Sequence, residues 1–203
     1  MAGVTGTVRH RGPRRLTLSN GVTLLRLAAV PFFFAAIMER LWGPACALFW
    51  LAVATDYLDG RIARARGESS PLGGLLDHAS DASFVVAGLA ALALGNRITP
   101  LLPLVVAIAF AQYVLDSRSL AGEPLRASGL GRWNGILYFV PLGIVATREM
   151  AALSQPSDAA IAWLGWALVV STTISIADRA FTLLRLRRRR ARARSTEVGG
   201  SRT

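Results

Sequence analysis

Residues 56–81 read DYLDGRIARARGESSPLGGLLDHASD, a polar stretch with apolar sequence on both sides. On a helix of 3.6 residues per turn, Asp56 and Asp59 share a face at i and i+3, and Asp77 and Asp81 share one at i and i+4. Each flanking helix therefore offers a carboxylate pair. Between them Gly67, Ser69, Ser70 and Pro71 break helical continuity and can turn the chain back, so that the two pairs face each other.

Outward from this hairpin the chain is apolar. Of its 203 residues 53% are hydrophobic and 17% charged, and the mean hydropathy is +0.43, a balance that argues against water as the only solvent. Apolar segments fall at residues 20–38, 42–65, 74–94, 100–115, 133–147 and 159–184. Several are shorter than the ~20 residues a bilayer requires, so some helices must carry polar turns. The expected fold class is all-α integral membrane, with six transmembrane helices and a cytosol-facing polar cleft. The expected organisation is an Arg-rich segment at 1–18, a membrane domain at 19–184 and a basic tail at 185–203. Ser19 or Asn20 is placed to cap the first helix. The stretch from Val22 to Ile37 follows Arg9, Arg11, Arg14 and Arg15 as a signal peptide would. No small-residue cleavage site closes it and more apolar segments follow, so it reads as a first span.

The formal net charge is +11 and Arg supplies all of the Lys and Arg count. These arginines lie at the chain ends and in polar gaps between apolar segments, which fits membrane-flanking charge and argues against a nucleic-acid partner. An even number of spans puts both termini on one side. Arg9 to Arg15, Arg61 to Arg66, Arg118, Arg126, Arg132 and the run RLRRRRARAR at 185–194 share that side, with Arg40, Arg97 and Arg148 opposite. The arginine-rich side is expected to be cytoplasmic and its basic run to meet anionic headgroups, in a bacterial inner or plasma membrane. Cys46, the single cysteine, reads as a small buried hydrophobe.

Four carboxylates at the edge of a low-dielectric layer cost several kcal/mol each if nothing positive sits between them. Hard oxygen ligands of this kind suit Mg²⁺ or Mn²⁺, and four can bracket two ions about 3.5–4 Å apart, an arrangement that binds and polarises a diphosphate. Asp56, Gly60 and Arg64 recur at i, i+4 and i+8. Gly60 costs about 1 kcal/mol of helix stability relative to Ala, a cost that close approach of a ligand to the backbone would justify. Ala63 keeps the surface low, and Arg64 adds a forked donor for phosphate or a base edge. Gly73, Asp77 and Asp81 repeat the four-residue step on the opposing helix, and together the two faces outline a polar cleft.

These eight positions, Asp56, Asp59, Gly60, Ala63, Arg64, Gly73, Asp77 and Asp81, fit D-x-x-D-G-x-x-A-R-x8-G-x3-D-x3-D without departure. The chain thereby resembles the CDP-alcohol phosphatidyltransferase family. The stretch LSNGVTLLR, 18–26, is similar to the N-terminal segment of bacterial phosphatidylglycerophosphate synthases. The resemblance implies an enzyme of phospholipid biosynthesis that moves the phosphatidyl group of CDP-diacylglycerol to an acceptor hydroxyl and releases CMP. It implies that Asp56, Asp59, Asp77 and Asp81 hold the metal, with Asp81 also the catalytic base. It places Asn20, Gly21, Asp59, Gly60, Ala63, Arg64, Ser70 and Gly73 at the CDP-lipid, and it implies a homodimer whose site opens laterally to membrane lipid.

For the acceptor, Arg118, Arg126, Arg132 and Arg179 are the candidates to hold a phosphate. Arg179 stands inside an apolar segment beside Asp178, where an ionisable side chain is expected to act or to pair. Glycerol 3-phosphate is the leading acceptor. Where phosphatidylglycerophosphate synthases often carry Gly-Lys-x-Lys-Thr, this chain has Gly131, Arg132, Trp133, Asn134 and Gly135, which leaves inositol phosphate and phosphatidylglycerol as alternatives. His78 reads as a hydrogen-bonding neighbour of the metal ligands. An intramembrane prenyltransferase would separate its two Asp motifs much further in sequence, and a cation transporter would place its acids near the bilayer midplane.

Overall fold

A computed structural model describes residues 18–66, 71–119 and 129–200, and among these the structure is helical throughout, with no strand. The helices are α1 (Leu18–Met38), α2 (Trp42–Arg66), α3 (Pro71–Leu94), α4 (Leu101–Ser119), α5 (Gly129–Leu137), α6 (Phe139–Met150) and α7 (Asp158–Gly200). Each apolar segment has become a helix. The fifth is divided, because Pro141 lacks the N–H that would bond the carbonyl of Leu137. Tyr138 at the division keeps helical dihedrals, φ −65° and ψ −23°, so α5 and α6 form one bent rod. Two expectations shift. The first helix begins at Leu18, which puts Ser19 and Asn20 inside its first turn instead of at its cap. The last continues through the basic run to Gly200, so that run is helical backbone, as the good helix propensity of Arg and Ala favours.

The six rods close into a ring. The α1 helix packs on α2 and α3, α2 on α6, α3 on α4, and α4 on α7, which returns to α5 and α6, while α3 and α6 also touch across the centre. The interior is aromatic and aliphatic. Phe33 of α1 stacks on Phe84 of α3 with centroids 4.4 Å apart and an 8° interplanar angle. Around them lie Phe49, Leu89, Leu92, Leu142 and Val145, all buried. Outward faces are apolar too, with Leu25, Phe32, Leu51, Leu104, Trp163 and Val170 exposed, as expected of helices that meet lipid and not water. Among the described residues, Asp158–Arg185 is long and apolar enough to cross a membrane, and Thr23–Met38 and Leu101–Leu115 are shorter apolar helices. The apolar windows of α2 and α3 are cut short by the aspartates at one end.

The opposite end is built differently. There α1, α3 and α6 each stop on a residue with positive φ, Arg40 (57°), Asn96 (58°) and Ala152 (51°). The next amide bonds five residues back in each case: Leu41 N to Ala36 O at 2.8 Å, Arg97 N to Leu92 O at 2.9 Å, Leu153 N to Arg148 O at 2.9 Å. These are Schellman caps, which satisfy the last carbonyls where the chain must reverse. Arg97 donates to Glu149 at 2.9 Å and to Asp158 at 3.0 Å, and buried Arg148 bonds Asp158 at 2.6 Å and the Pro156 carbonyl at 2.7 Å. This ion cluster ties the α3–α4 turn, the end of α6 and the start of α7.

Two glycines set the helix spacing. A Cβ on Gly88 would stand 2.6 Å from Phe33 Cε1 and 2.9 Å from Leu142 Cδ2, and one on Gly143 would stand 2.8 Å from the Phe49 ring. Small residues of this kind let backbones approach where three helices meet. Gly88→Ala should therefore destabilise the protein by roughly 1–3 kcal/mol through overpacking, read as a lowered thermal midpoint in detergent micelles. A midpoint at or above wild type would mean that α1, α3 and α6 are not held at this spacing.

Candidate active site

At the aspartate end, α1, α2 and α3 bring one residue each, and α3 a second, to a common point. Thr23, Arg26, Phe33 and Ile37 lie on the stripe of α1 that faces the core, and all four are buried. The same face that inserts Phe33 between its neighbours thus drives a guanidinium inward, so Arg26 has a side chain only 3% exposed. Its Nη1 lies 3.2 Å from Asp56 Oδ1 and 3.4 Å from Asp77 Oδ1, and it hydrogen-bonds Asp81 Oδ1. Thr23 Oγ1 reaches Asp77 Oδ1 at 3.5 Å. Ser80, buried on the same face of α3, donates to the Thr23 carbonyl at 3.2 Å and fixes the register of α3 against α1.

The expected pairing of faces is therefore realised for three of the four aspartates. Asp56, Asp77 and Asp81 each present a ligand oxygen, and these oxygens lie within 4.8 Å of one another. For Asp59, Gly60, Ala63, Arg64, Gly73, Asn20 and Arg118 the helical backbone is described but the side chains lie outside the described residues, as do Ser70 and Arg126 altogether. Gly21 is exposed, with nothing within 4 Å of where a Cβ would stand.

A divalent metal fits this donor set. The ligands are hard carboxylate oxygens from two helices, close enough to share an ion. Among the described side chains three carboxylates face one guanidinium, an excess of two negative charges at the edge of an apolar bundle. The carboxylates of Asp56 and Asp77 are 50% and 45% exposed and that of Asp81 is 23% exposed, so the cluster opens outward above a buried arginine.

Arg26 is the residue that the sequence expectation passed over. The expectation at LSNGVTLLR is for Asn20 and Gly21, whereas the arginine closing that stretch is the one at the centre of the cluster. A charged side chain between Leu25 and Leu27, inside an apolar segment, was the available signal, since such residues face the interior and pair there. Thr23 and Ser80 had no comparable signal.

The cluster opens into a cavity of about 370 Å³ lined by Arg26, Asp56, His78, Asp81, Arg132 and Phe139 among others. A second pocket of about 260 Å³ adjoins it and shares His78, Phe110, Arg132 and Gly135. Its polar lining includes Gln112, Tyr113, Ser175 and Arg179. The Arg179 guanidinium lies over the Tyr113 ring, 5.2 Å from its centroid, and Asp178 is exposed. Of the acceptor candidates, Arg132 and Arg179 are thus brought together, from α5 and α7. His78 packs against Phe110 and Tyr113, with ring centroids 5.2 and 4.4 Å away, so its imidazole forms the wall between the two spaces. Asn134 Oδ1 accepts from Ser171 at 2.7 Å, and Tyr138 and Thr172 share a hydrogen bond of 3.0 Å, which lock α5 to α7 beside this wall. On the other flank an apolar groove of about 530 Å³ runs between α2 and the α5–α6 rod, from Val53, Ile136 and Phe139, which also line the cavity, to Thr147 and Pro156.

The family model for CDP-alcohol phosphatidyltransferases matches residues 16–184. The chain belongs to the CDP-alcohol phosphatidyltransferase family. Members of this family are membrane-bound and generally depend on divalent metal. Similar curated proteins include the rice (Oryza sativa subsp. japonica) "Cardiolipin synthase (CMP-forming)", 30% identical over 81% of this chain and 55% of its own length. The Streptomyces coelicolor protein of the same name is 38% identical over 41% of this chain and 42% of its own. The Arabidopsis thaliana "CDP-diacylglycerol--glycerol-3-phosphate 3-phosphatidyltransferase 2" is 26% identical over 76% of this chain and 78% of its own. The chain spans about half the length of the rice and Streptomyces proteins.

Proposed function

We propose that this family member transfers the phosphatidyl group of CDP-diacylglycerol to a hydroxyl acceptor and releases CMP. The observation that carries the reading is the cluster of Asp56, Asp77 and Asp81, in which Asp56 and Asp81 line a cavity that adjoins an arginine-bearing pocket on one flank and an apolar groove on the other. The diphosphate would lie at the aspartates, the acceptor beside Arg132 and Arg179, and the acyl chains along the groove. Asp56, Asp77 and Asp81, with Asp59 of the same motif, would hold Mg²⁺ or Mn²⁺, two ions by the number of carboxylates, and the bound cations would neutralise charge developing on the diphosphate.

The roles of this chain's own residues follow from position. Asp81, the least exposed of the three carboxylates, lines the cavity and takes the proton of the acceptor hydroxyl. The acceptor oxygen then bonds to the β-phosphorus, the bond from that phosphorus to the bridging oxygen breaks, and CMP leaves with the electron pair. Asp59, Gly60, Ala63, Arg64 and Gly73 are assigned to the CDP portion by the family motif, Asn20 and Gly21 by the similarity of the stretch 18–26, and Ser70 by its place in the turn between the aspartate pairs. Arg132 and Arg179 orient a phosphate of the acceptor, and His78 shapes the passage between acceptor and base.

A compact phosphorylated acceptor suits the pocket of about 260 Å³, and glycerol 3-phosphate is the first choice. Phosphatidylglycerol is the second reading, favoured by the names of the rice and Streptomyces relatives. Both offer a glycerol hydroxyl and a phosphate to the same arginines. Six spans, a cytoplasmic cleft and termini in a bacterial plasma membrane, and a single membrane domain over 19–184, complete the proposal, supported by the apolar outer faces and by Arg132 and Arg179 lying at the aspartate end while Arg40, Arg97 and Arg148 lie at the other. The homodimer rests on family resemblance.

With CDP-diacylglycerol in mixed micelles, CMP release should be accelerated by glycerol 3-phosphate or by phosphatidylglycerol, and inositol phosphate and serine serve as comparisons. Asp81→Asn should lower kcat by about 10²–10⁴-fold, the range for loss of a general base; a folded Asp81→Asn protein with wild-type turnover would remove Asp81 from the chemistry. Arg179→Ala should raise KM for the phosphorylated acceptor by roughly tenfold or more, the loss of a charge-assisted hydrogen bond, with little change in KM for CDP-diacylglycerol. Equal changes in both constants would contradict an acceptor role.

A further inference from the structure

Arg26 meets the three aspartates on carboxylate oxygens, the donor type that a metal would use. One nitrogen, Nη1, contacts Oδ1 of Asp56, of Asp77 and of Asp81. A Mg²⁺-sized ion takes its oxygens at about 2.0–2.1 Å, with near-octahedral geometry. An ion seated among the three Oδ1 atoms would compete with the guanidinium for their lone pairs, and the two like charges repel. The arginine is also held beneath the surface. It is 5% exposed, and its backbone is fixed by the α1 stripe that buries Phe33 and Ile37. Whatever Arg26 does when cations arrive, it does inside the cleft, and the cavity that it lines gives the side chain room to turn.

A second observation points the same way. Arg26 Nε is buried and has no hydrogen-bond partner. A buried donor without an acceptor is costly, and Arg26 therefore has one donor that its present position does not use. Turning the guanidinium away from the carboxylates exchanges contacts of Nη1 for an opportunity to satisfy Nε.

We infer that Arg26 is a positioning residue that competes with divalent cations for Asp56, Asp77 and Asp81. It gathers the carboxylates of α2 and α3 from beneath and yields its contacts as the cations load, so the residue sets the cation concentration at which the site fills. The inference rests on reading the aspartate cluster as the metal site. Removing the positive charge then has two opposite effects: the carboxylates repel one another when no cation is bound, and they bind cations more tightly because the competitor has gone. A purely structural arginine predicts the reverse for binding, since splayed carboxylates would hold a cation less well.

The test is Mn²⁺ titration by calorimetry, with thermal midpoints measured with and without Mn²⁺, on the full chain in detergent micelles as wild type, Arg26→Met and Arg26→Lys. Arg26→Met should bind Mn²⁺ at least tenfold more tightly than wild type, with a lower midpoint in chelator and a larger rise on adding Mn²⁺. Arg26→Lys, a point charge that reaches fewer carboxylates, should fall between them. Mn²⁺ affinity in Arg26→Met equal to or weaker than wild type overturns the inference. Should Arg26→Met fold only when purified in Mn²⁺, that supports it; should it fold in neither condition, Arg26→Lys decides, with wild-type affinity overturning the inference and tighter binding supporting it. Wild-type protein that binds no Mn²⁺ removes the metal reading itself, a result distinct from wild type that binds while Arg26→Met is unchanged.

Discussion

One buried guanidinium organises the functional end of this bundle. Arg26 ties three carboxylates, carried by two helices, to a third helix. Removing ions from water costs several kcal/mol each even after relaxation, and breaking a buried pair leaves that cost exposed. The cluster is tolerable because Asp56 and Asp77 remain half open to the outside while the arginine is sealed beneath them. Among the described side chains it also leaves an excess of negative charge, which is what a site for divalent cations and a diphosphate needs.

The rest of the fold holds that point in place. Stacking of Phe33 on Phe84 and the close approach at Gly88 fix α1 against α3, within about two turns of Arg26 and Asp81. Ser80 bonding the Thr23 carbonyl sets their register. At the far end, Schellman caps satisfy the last carbonyls where helices reverse, and charge is balanced inside the Arg97–Glu149–Asp158–Arg148 cluster. Among the described side chains the two ends thus use ions differently: one cluster is neutral, the other acidic.

The helices and the facing aspartates were legible from sequence for a local reason. Spacings of three, four and eight residues are decided within one or two turns, so Asp56, Asp77 and Asp81 could be assigned to inward faces before any tertiary contact was known. Arg26 was harder because its partners stand 30 to 55 positions away, and its meaning depends on packing that the local pattern does not encode. The division at Tyr138 follows from Pro141, a local signal, yet continuous hydrophobicity across 133–147 hid it. Arg132 and Arg179 could be nominated from their placement near one membrane face, but only the bundle brings α5 and α7 to one pocket. The family motif points to the reaction class, while the acceptor depends on that pocket, whose residues are scattered over four helices.

The central claim is that carboxylates from α2 and α3 form one metal-dependent centre for phosphatidyl transfer. It is tested most directly by following CMP release from CDP-diacylglycerol by the purified chain in micelles, first in EDTA and then after Mg²⁺ or Mn²⁺ is restored. The account predicts no release above background in EDTA and recovery when metal returns. Undiminished release in excess chelator, or no release with any acceptor in saturating metal, would contradict it.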